Sequence, residues 1–365
     1  MVSQPETGAG LDVVRLARPD LGEAELAEIR EVLESGQLTM GAKVVELEEL
    51  LADAAGTAHA VAVSSGTAAL HVAVLALGVG PGDEVLVPAY TFPATANVVA
   101  LAGATPVLVD VDPVTMNIDP AAAASRMTKR TKAVLAVHLF GRPARVDELP
   151  EVTVLEDAAG ALGATRGARA CGSLGALACF SFHPRKIVTT GEGGAVTTDD
   201  DALAERVRSL RHHGWSPSSS YDDMPLPAFN YRLSDVLCAL GIPQLRRLGE
   251  LQAAYERVAA GYAERLAALD VVLPGADPGD RHGLQAYVIQ VDRRDEVMAG
   301  LRAHGIQCQI GTYALHRLGA YRDQGPFPGA DAAFERALAL PLHTRLTDAE
   351  LDRVAEGLDK LVIHH

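Results

Sequence analysis

The sequence predicts an α/β protein in which a mostly parallel sheet lies between layers of helices. Two observations predict this class. Between residues 59 and 198, short apolar runs of strand length alternate with helical patterns, which is typical of parallel sheets. These runs also end in polar or glycine-rich stretches, and ligands of such sheets bind at the carboxyl ends of the strands. We therefore expect the functional site at that edge of the sheet.

Size and composition indicate a large globular chain with a second, smaller domain. The chain has 365 residues, of which 48% are hydrophobic and 22% are charged. The net charge of −15 disfavours nucleic acid as a partner, because binding to phosphates requires a basic field. No apolar run reaches the ~18 residues of a membrane span. We therefore expect small-molecule ligands, with neither nucleic acid nor a membrane as partner.

The cysteines and the N-terminus predict a cytoplasmic protein. The four cysteines, Cys171, Cys179, Cys238 and Cys308, are scattered and form no Cys-x-x-Cys pair. Such cysteines are expected to be buried thiols in a reducing compartment rather than metal ligands or disulfides. Residues 1–14 contain no basic segment followed by an apolar one, so no secretory signal is expected.

Two helices are predicted before the first strand. Asp20 and Glu23 have the spacing of a capping box, and the apolar positions after them predict a helix that ends near Gly36. A second helix is predicted over residues 42–54.

The strands that follow have polar or aromatic residues at their ends. They are predicted at residues 59–63, 84–87, 105–109, 132–137 and 152–155. The candidates at these ends, and at the end of the next strand, are Ser65, Thr67, Phe92, His138, Asp157 and Ser181. Ser64–Thr67 precedes an apolar helix at residues 68–77, an arrangement that offers free backbone N–H groups to a phosphate.

Lys186 lies in a polar loop between two apolar strand patterns, at residues 177–182 and 195–198. Glycines within residues 191–194 permit a tight turn there. Most lysines are solvated at the surface. A lysine in a partly desolvated site loses proton affinity, however, and can act as a nucleophile toward an aldehyde. We therefore expect Lys186 to hold a carbonyl cofactor.

The second half of the chain is predicted to form a long loop, a linking helix and the smaller domain. A helix at 202–210 precedes a loop at 216–230 and a short helix to Leu240, and a long helix over 244–269 links the domains. The later predicted elements are a strand at 286–291, a helix at 296–303, a strand at 307–310 and a last helix with the capping box Thr347 and Glu350. The large domain is expected at residues 1–243, with its N-terminal segment packed on the small domain at 244–365.

An aldehyde cofactor held by a lysine suggests pyridoxal 5'-phosphate (PLP), whose chemical requirements can be compared with the sequence. The ring nitrogen needs a carboxylate partner to stay protonated, and Asp157 is the candidate. The phosphate needs hydroxyl and N–H donors, which Gly66, Thr67 and Ser181 supply. Phe92 offers a flat face against which the ring can stack.

These residues belong to an ordered set of motifs. In chain order the motifs are Ser64-Ser-Gly-Thr-Ala-Ala-Leu70, Pro88-Ala-Tyr-Thr-Phe-Pro-Ala-Thr95, Glu156-Asp-Ala-Ala159, Ser181-Phe-His-Pro-Arg-Lys186, Gly191-Glu-Gly-Gly194 and Asn230-Tyr-Arg232. The set resembles the sugar aminotransferases of the DegT/StrS family, PLP enzymes of the aspartate-aminotransferase fold, from about Leu16 to about Leu361. The resemblance implies fold type I: a mixed, mostly parallel sheet sandwiched by helices, followed by a smaller α+β domain.

The resemblance also implies a role for each cofactor residue. Lys186 binds the aldehyde carbon of the cofactor and then transfers protons, while Asp157 pairs with the pyridinium. Phe92 stacks on the ring and Ala159 packs on the opposite face. The residues that hold the phosphate are Gly66, Thr67 and Ser181.

Three further residues and the reaction are implied in the same way. Asn230 would reach the cofactor phosphate of the neighbouring subunit, which implies a homodimer with shared active sites. Tyr313 and His316 would lie near the sugar substrate. The implied reaction moves an amino group from an amino acid, L-glutamate, to a nucleotide-linked 4-keto- or 3-keto-deoxysugar with ping-pong kinetics.

Two positions depart from the pattern of many family members. Gly160 stands where many of them carry Gln or Glu, and Leu162 stands where many carry His. The missing side chain at Gly160 leaves the acceptor open, so a keto cyclitol or another ketone is an alternative. A family dehydratase is disfavoured, because those relatives carry His in place of Lys186. A non-catalytic PLP-binding protein is the alternative from another class.

Overall fold

Seven strands form the central sheet, and their order confirms the mixed, mostly parallel arrangement predicted from the sequence. The computed structural model describes residues 13–215 and 223–362. In chain order its strands are β1 (His59–Val63), β2 (Glu84–Pro88), β3 (Tyr90–Thr91), β4 (Thr105–Val109), β5 (Thr131–Val137), β6 (Thr153–Asp157), β7 (Thr165–Arg166), β8 (Arg169–Ala170), β9 (Leu177–Ser181), β10 (Gly194–Thr198), β11 (Tyr287–Gln290), β12 (Gln309–Ile310), β13 (Tyr313–Ala314) and β14 (Ala337–Leu340). The order across the central sheet is β1-β10-β9-β6-β5-β2-β4. Strand β10 is antiparallel to both neighbours, and the other pairs are parallel.

Helices cover both faces of this sheet. They are α1 (Glu23–Ser35), α2 (Ala42–Ala55), α3 (Gly66–Ala76), α4 (Ala94–Leu101), α5 (Pro120–Arg126), α6 (Asp201–Arg211), α7 (Asp235–Arg246), α8 (Leu248–Leu266), α9 (Arg294–Ala303), α10 (Pro328–Arg336) and α11 (Asp348–Asp359). On β1, Val61 and Val63 join an apolar cluster with α3 and α4, whereas Ala60 and Ala62 join a second cluster with α2, α7 and α8. Because both faces are buried, the strands have nearly continuous apolar sequences.

The C-terminal part of the chain builds a second sheet. Its three antiparallel strands have the order β11-β14-β12. Strand β13 pairs with β3 of the N-terminal part, which places Tyr313 opposite Thr91. The N-terminal segment also reaches this region, since Val14 N–H donates to the Gly305 carbonyl over 3.0 Å. The domain boundary at residue 243 stays a prediction.

The helices between the two sheets differ from the single long helix predicted over residues 244–269. Helix α7 continues to Arg246, and α8 begins at Leu248 after a break at Arg247, which has φ −109° and ψ 23°. The Arg247 side chain donates to the Asp20 carbonyl over 2.6 Å and to Glu25 over 3.1 Å. These contacts join Arg247 to a part of the chain that is distant in sequence. The helical pattern of the local sequence therefore did not reveal the break between α7 and α8.

One predicted helix cap is wrong and another is confirmed. Helix α1 begins at Glu23, and its cap is Gly22, whose N–H donates to the Glu25 carboxylate over 2.7 Å. Asp20 instead accepts from the Thr344 hydroxyl over 3.0 Å. Thr347 caps α11 in a capping box, as predicted.

Some predicted features lie partly outside the described residues. Residues 216–222 of the predicted loop belong to this group, as do residues 1–12 and 363–365. Within the described ranges, no helix is long and apolar enough to cross a membrane. The four cysteines are free and buried.

Candidate active site

A pocket of about 400 Å³ lies at the carboxyl ends of the parallel strands, where the sequence predicts the site. Its wall comes from the loops that follow β1, β3, β5, β6 and β9, together with residues just before β11 and just after β12. The predicted site residues that line it are Gly66, Thr67, Phe92, Asp157, Ala159, Gly160, Ser181 and Lys186. These residues come from separate parts of the sequence, and the end of each strand brings one to three of them to the same edge.

Lys186 lies in the loop that joins the antiparallel strands β9 and β10. Hydrogen bonds close this loop, because Phe182 N–H donates to the Gly193 carbonyl over 2.8 Å and Lys186 N–H donates to the His183 carbonyl over 2.8 Å. Burial lowers the pKa of Lys186 to about 8, the charge of Asp157 acts against this shift, and Arg185 adds to it. Near neutral pH an appreciable fraction of the amine is therefore unprotonated and nucleophilic.

Asp157 ends β6 and is buried at the pocket wall. Its Oδ2 accepts from the Thr95 hydroxyl over 2.9 Å, and its Oδ1 accepts from Ala159 N–H over 3.2 Å. These two donors fix the carboxylate, and each oxygen keeps acceptor capacity for a further donor from the pocket. Sequence reasoning missed the role of Thr95, although this residue closes one of the quoted motifs.

The junction of β1 and α3 forms a cradle for an anion. The Ser65 hydroxyl caps α3 by accepting from Ala68 N–H over 3.0 Å, and the N–H groups of Gly66 and Thr67 lie in the first helical turn, where no intrahelical acceptor exists. A Cβ at Gly66 would lie 2.7 Å from the Ser181 Cβ. Only glycine therefore lets the helix N-terminus approach the Ser181 hydroxyl, and together they suit a phosphate.

Two side chains offer surfaces for a flat ring. Phe92 is 60% exposed although it is aromatic, and it lies on the pocket wall with its ring edge-on to Tyr313 at 6.3 Å between centroids. Ala159 is half-buried on the same wall. An amine, a fixed carboxylate, a phosphate cradle and an aromatic face occur in one pocket, so the residues fit PLP.

His138 also lines the pocket, but both of its ring nitrogens have protein partners. Nδ1 accepts from Ala144 N–H over 2.9 Å, so the proton lies on Nε2, which donates to Glu156 over 2.8 Å. Glu156 also accepts from the N–H groups of Gly172 and Leu174 over 2.8 and 2.7 Å. This buried pair holds the loop after β8 against β6, which is a positioning role.

Three predicted site residues are not among the described residues that line the pocket. Asn230 is exposed, and its Oδ1 accepts from Arg232 over 2.9 Å. The ring of Tyr313 lies beside that of Phe92, which does line the pocket. His316 pairs with Asp331 over 3.0 Å and packs on Phe327, with 5.2 Å between the ring centroids. Its expected place near the sugar stays a prediction.

Gln285 occupies the space that the absence of a side chain at Gly160 leaves free. A Cβ at Gly160 would lie 3.2 Å from both Cβ and Oε1 of Gln285. Gln285 N–H donates to the Phe140 carbonyl over 3.0 Å, and its Nε2 donates to the Arg185 carbonyl over 3.3 Å. Sequence reasoning assigned no role to Gln285 or to Arg185. Arg185 lies within the Ser181–Lys186 motif, whereas Gln285 belongs to none of the quoted motifs.

Comparisons with known proteins match almost the whole chain to aminotransferases and related sugar enzymes. The family model described as the DegT/DnrJ/EryC1/StrS aminotransferase family matches residues 19–359. The GDP-perosamine synthase of Caulobacter vibrioides is 40% identical over 366 residues, which cover 96% of this chain and 98% of that protein.

Two solved structures have closely similar folds. The PLP form of Spr1654 from Streptococcus pneumoniae has a TM-score of 0.91 at 30% identity and covers 96% of this chain and 100% of its own. DesI, solved in the presence of its TDP-sugar product, has a TM-score of 0.88 at 36% identity and covers 95% of this chain and 92% of its own.

Proposed function

The chain belongs to the DegT/DnrJ/EryC1/StrS aminotransferase family, and we propose that it transfers the amino group of L-glutamate to a nucleotide-linked keto sugar. The observation that carries this proposal is the meeting of Lys186, Asp157 and the Gly66–Thr67 cradle in one pocket. Sugar aminotransferases are PLP enzymes, so the cofactor expected from Lys186 is PLP.

Different residues of the pocket would contact different parts of the cofactor. Bound PLP supplies an electron sink that stabilises negative charge at the donor α-carbon. Asp157 would pair with the ring nitrogen and favour its protonated form. Gly66, Thr67 and Ser181 would bind the phosphate, and Phe92 would stack on the ring.

Lys186 has two tasks that its environment supports. Its amine would hold the cofactor at the aldehyde carbon. Once free, the same amine would accept the proton from the α-carbon of the donor and would donate it to the C4' carbon of the cofactor. Because the pKa of Lys186 is lowered to about 8, the freed amine can take up and release this proton near neutral pH. The second half of the reaction reverses these steps with the keto acceptor, which gives ping-pong kinetics.

The relatives support a nucleotide-linked sugar as the acceptor. The name of GDP-perosamine synthase and the TDP-sugar product of DesI both refer to sugars on a nucleoside diphosphate. We propose a 4-keto- or 3-keto-deoxysugar of this kind. The buried free cysteines support a reducing, cytoplasmic location.

The test has two stages. Protein loaded with PLP is expected to be yellow, and L-glutamate should remove this absorbance. The treated enzyme is then offered nucleotide-linked keto sugars and keto cyclitols, and mass spectrometry identifies any amino product. A spectrum that no amino donor changes would contradict aminotransfer, and amination of cyclitols alone would replace the sugar acceptor.

A further inference from the structure

Arg185 is a cation on the pocket wall without an anionic partner among the described residues. Its guanidinium takes part in no ion pair or hydrogen bond there, and its Nε is buried without an acceptor. Glu192 also lines the pocket, but its carboxylate forms no ion pair with the Arg185 guanidinium. Other half-buried or buried arginines differ, since Arg211 pairs with Glu48 and Arg166 pairs with Asp280.

A guanidinium that is largely buried and has no ion-pair partner indicates that an anion binds there. Burial lowers the pKa of Arg185, so the folded protein already disfavours its charge. Such a cost is normally offset by a carboxylate or a phosphate. Because no anion of the described chain occupies this position, a ligand is the natural partner.

The position of Arg185 decides which anion fits. It precedes Lys186 in the chain, both line the pocket, and its charge is close enough to disfavour protonation of the Lys186 amine. The phosphate of the cofactor has its own cradle at the N-terminus of α3, with Ser181. The unassigned anion therefore belongs near the amine of Lys186, where the amino donor reacts.

We propose that Arg185 binds the α-carboxylate of the amino donor. This inference rests on the proposed aminotransfer. In an amino acid the α-carboxylate is one bond from the carbon that Lys186 serves, whereas the diphosphate of a nucleotide sugar is several bonds from the keto carbon. A guanidinium also matches a carboxylate with two parallel hydrogen bonds.

The experiment compares the donor reaction of wild-type protein with that of Arg185→Gln and Arg185→Lys. Each protein is loaded with PLP, and the loss of yellow absorbance is followed against the concentration of L-glutamate, L-glutamine and L-alanine. All three carry an α-carboxylate, so Arg185→Gln should raise the half-saturating concentration of every reactive donor by roughly 10- to 100-fold. Arg185→Lys should have an intermediate effect, because it keeps the charge but loses the planar fork.

A binding measurement gives a readout without chemistry. Glutarate, a dicarboxylate without an amino group, is titrated calorimetrically into the same loaded proteins, and Arg185→Gln should weaken its binding by a similar factor. Arg206→Gln, in which an exposed arginine of α6 is replaced, serves as the matched control and should behave as wild type.

The possible outcomes separate this inference from the proposed function. If wild type responds to a donor and Arg185→Gln responds with the same concentration dependence, the inference is overturned and the proposed function stands. Unchanged glutarate binding with weakened GDP or dTDP binding would assign Arg185 to a nucleotide and also overturn it. If no donor changes the wild-type spectrum, the proposed function fails, and the glutarate titration still reports on Arg185.

Discussion

Lys186 carries a charge that the folded protein disfavours. Burial lowers its pKa from the ordinary value of 10.5 to about 8, and Asp157 offsets only part of this shift. The folded state therefore binds fewer protons than the unfolded state between these two values. The resulting penalty on folding is fully present below the folded pKa and disappears as the pH rises toward the unfolded one.

Replacing Lys186 with methionine is therefore expected to stabilise the cofactor-free protein. At pH 7 the free energy of unfolding should rise by roughly 2–3 kcal/mol, and the gain should shrink when the pH is raised to about 9.5. Urea unfolding at both pH values measures it. Lys129→Met, at an exposed lysine, is the control. A gain that does not depend on pH would contradict the argument.

Gly160 and Gln285 show how one residue can take the space of another. Gly160→Gln should place a second side chain where the Gln285 side chain already lies, since even a Cβ would approach it to 3.2 Å. We expect a loss of roughly 1–3 kcal/mol in unfolding free energy. Adding Gln285→Gly should recover about 1 kcal/mol or more of this loss as coupling between the two sites.

A double-mutant cycle in urea measures this coupling. Gly249→Gln on α8 is the matched control, because nothing lies within 4 Å of the place that a Cβ would take there. Additive effects of the two substitutions would show that the side chains do not share one space.

At the scale of an element, the N-terminus of α3 lies so close to the end of β9 that a side chain at Gly66 has no room. Gly66→Ala would place a Cβ 2.7 Å from the Ser181 Cβ, so either the helix or the end of β9 must move. Because both elements belong to the proposed phosphate cradle, PLP affinity should fall by roughly 10- to 100-fold. Equilibrium dialysis of PLP measures the change, with Gly249→Ala as the control. Unchanged affinity would remove Gly66 from the proposed cradle.

The elements that sequence could predict are those whose signals are local. Strands such as β2 are buried along their whole length, and therefore have apolar sequences bounded by turns. The start of α1 was misplaced because Asp20 is held by Thr344 and Arg345 from the other end of the chain. The break between α7 and α8 was missed for a similar reason, since Arg247 contacts the N-terminal segment.

The site was predictable to the same extent. Residues at strand ends, such as Asp157 and Ser181, could be placed together because parallel strands direct their ends to one edge. Gln285 precedes β11, and nothing in its local sequence indicates that it packs against Gly160. His316 was expected near the substrate from a loose motif. In its own chain it contacts Asp331 and Phe327, and its place near the substrate stays a prediction.

At the scale of the whole molecule, the protein carries a negative net charge although its proposed ligands are also negatively charged. The net charge is −15, whereas PLP, amino-acid donors and nucleotide sugars all carry negative groups. Binding therefore depends on local positive potential in the pocket. The N-terminus of α3 supplies it at one part of the wall, and Lys186 with the neighbouring Arg185 supplies it at another.

The proposed homodimer leads to a test by complementation. Asn230 is exposed and is not among the residues that line the pocket of its own chain, which supports a role at the pocket of a partner. If so, Lys186 and Asn230 of one active site come from different subunits. A heterodimer of Lys186→Ala and Asn230→Ala chains then has one site with both defects and one intact site.

Such heterodimers, isolated with two different affinity tags, should bind about one PLP tightly per dimer and should react with L-glutamate at that site. The two homodimers should bind PLP weakly, because each of their sites lacks either the lysine or a phosphate contact. The control pairs Lys186→Ala with the Lys186→Ala/Asn230→Ala double variant, which leaves no intact site in any arrangement. Absence of a tight site in the first heterodimer would mean that each chain completes its own active site.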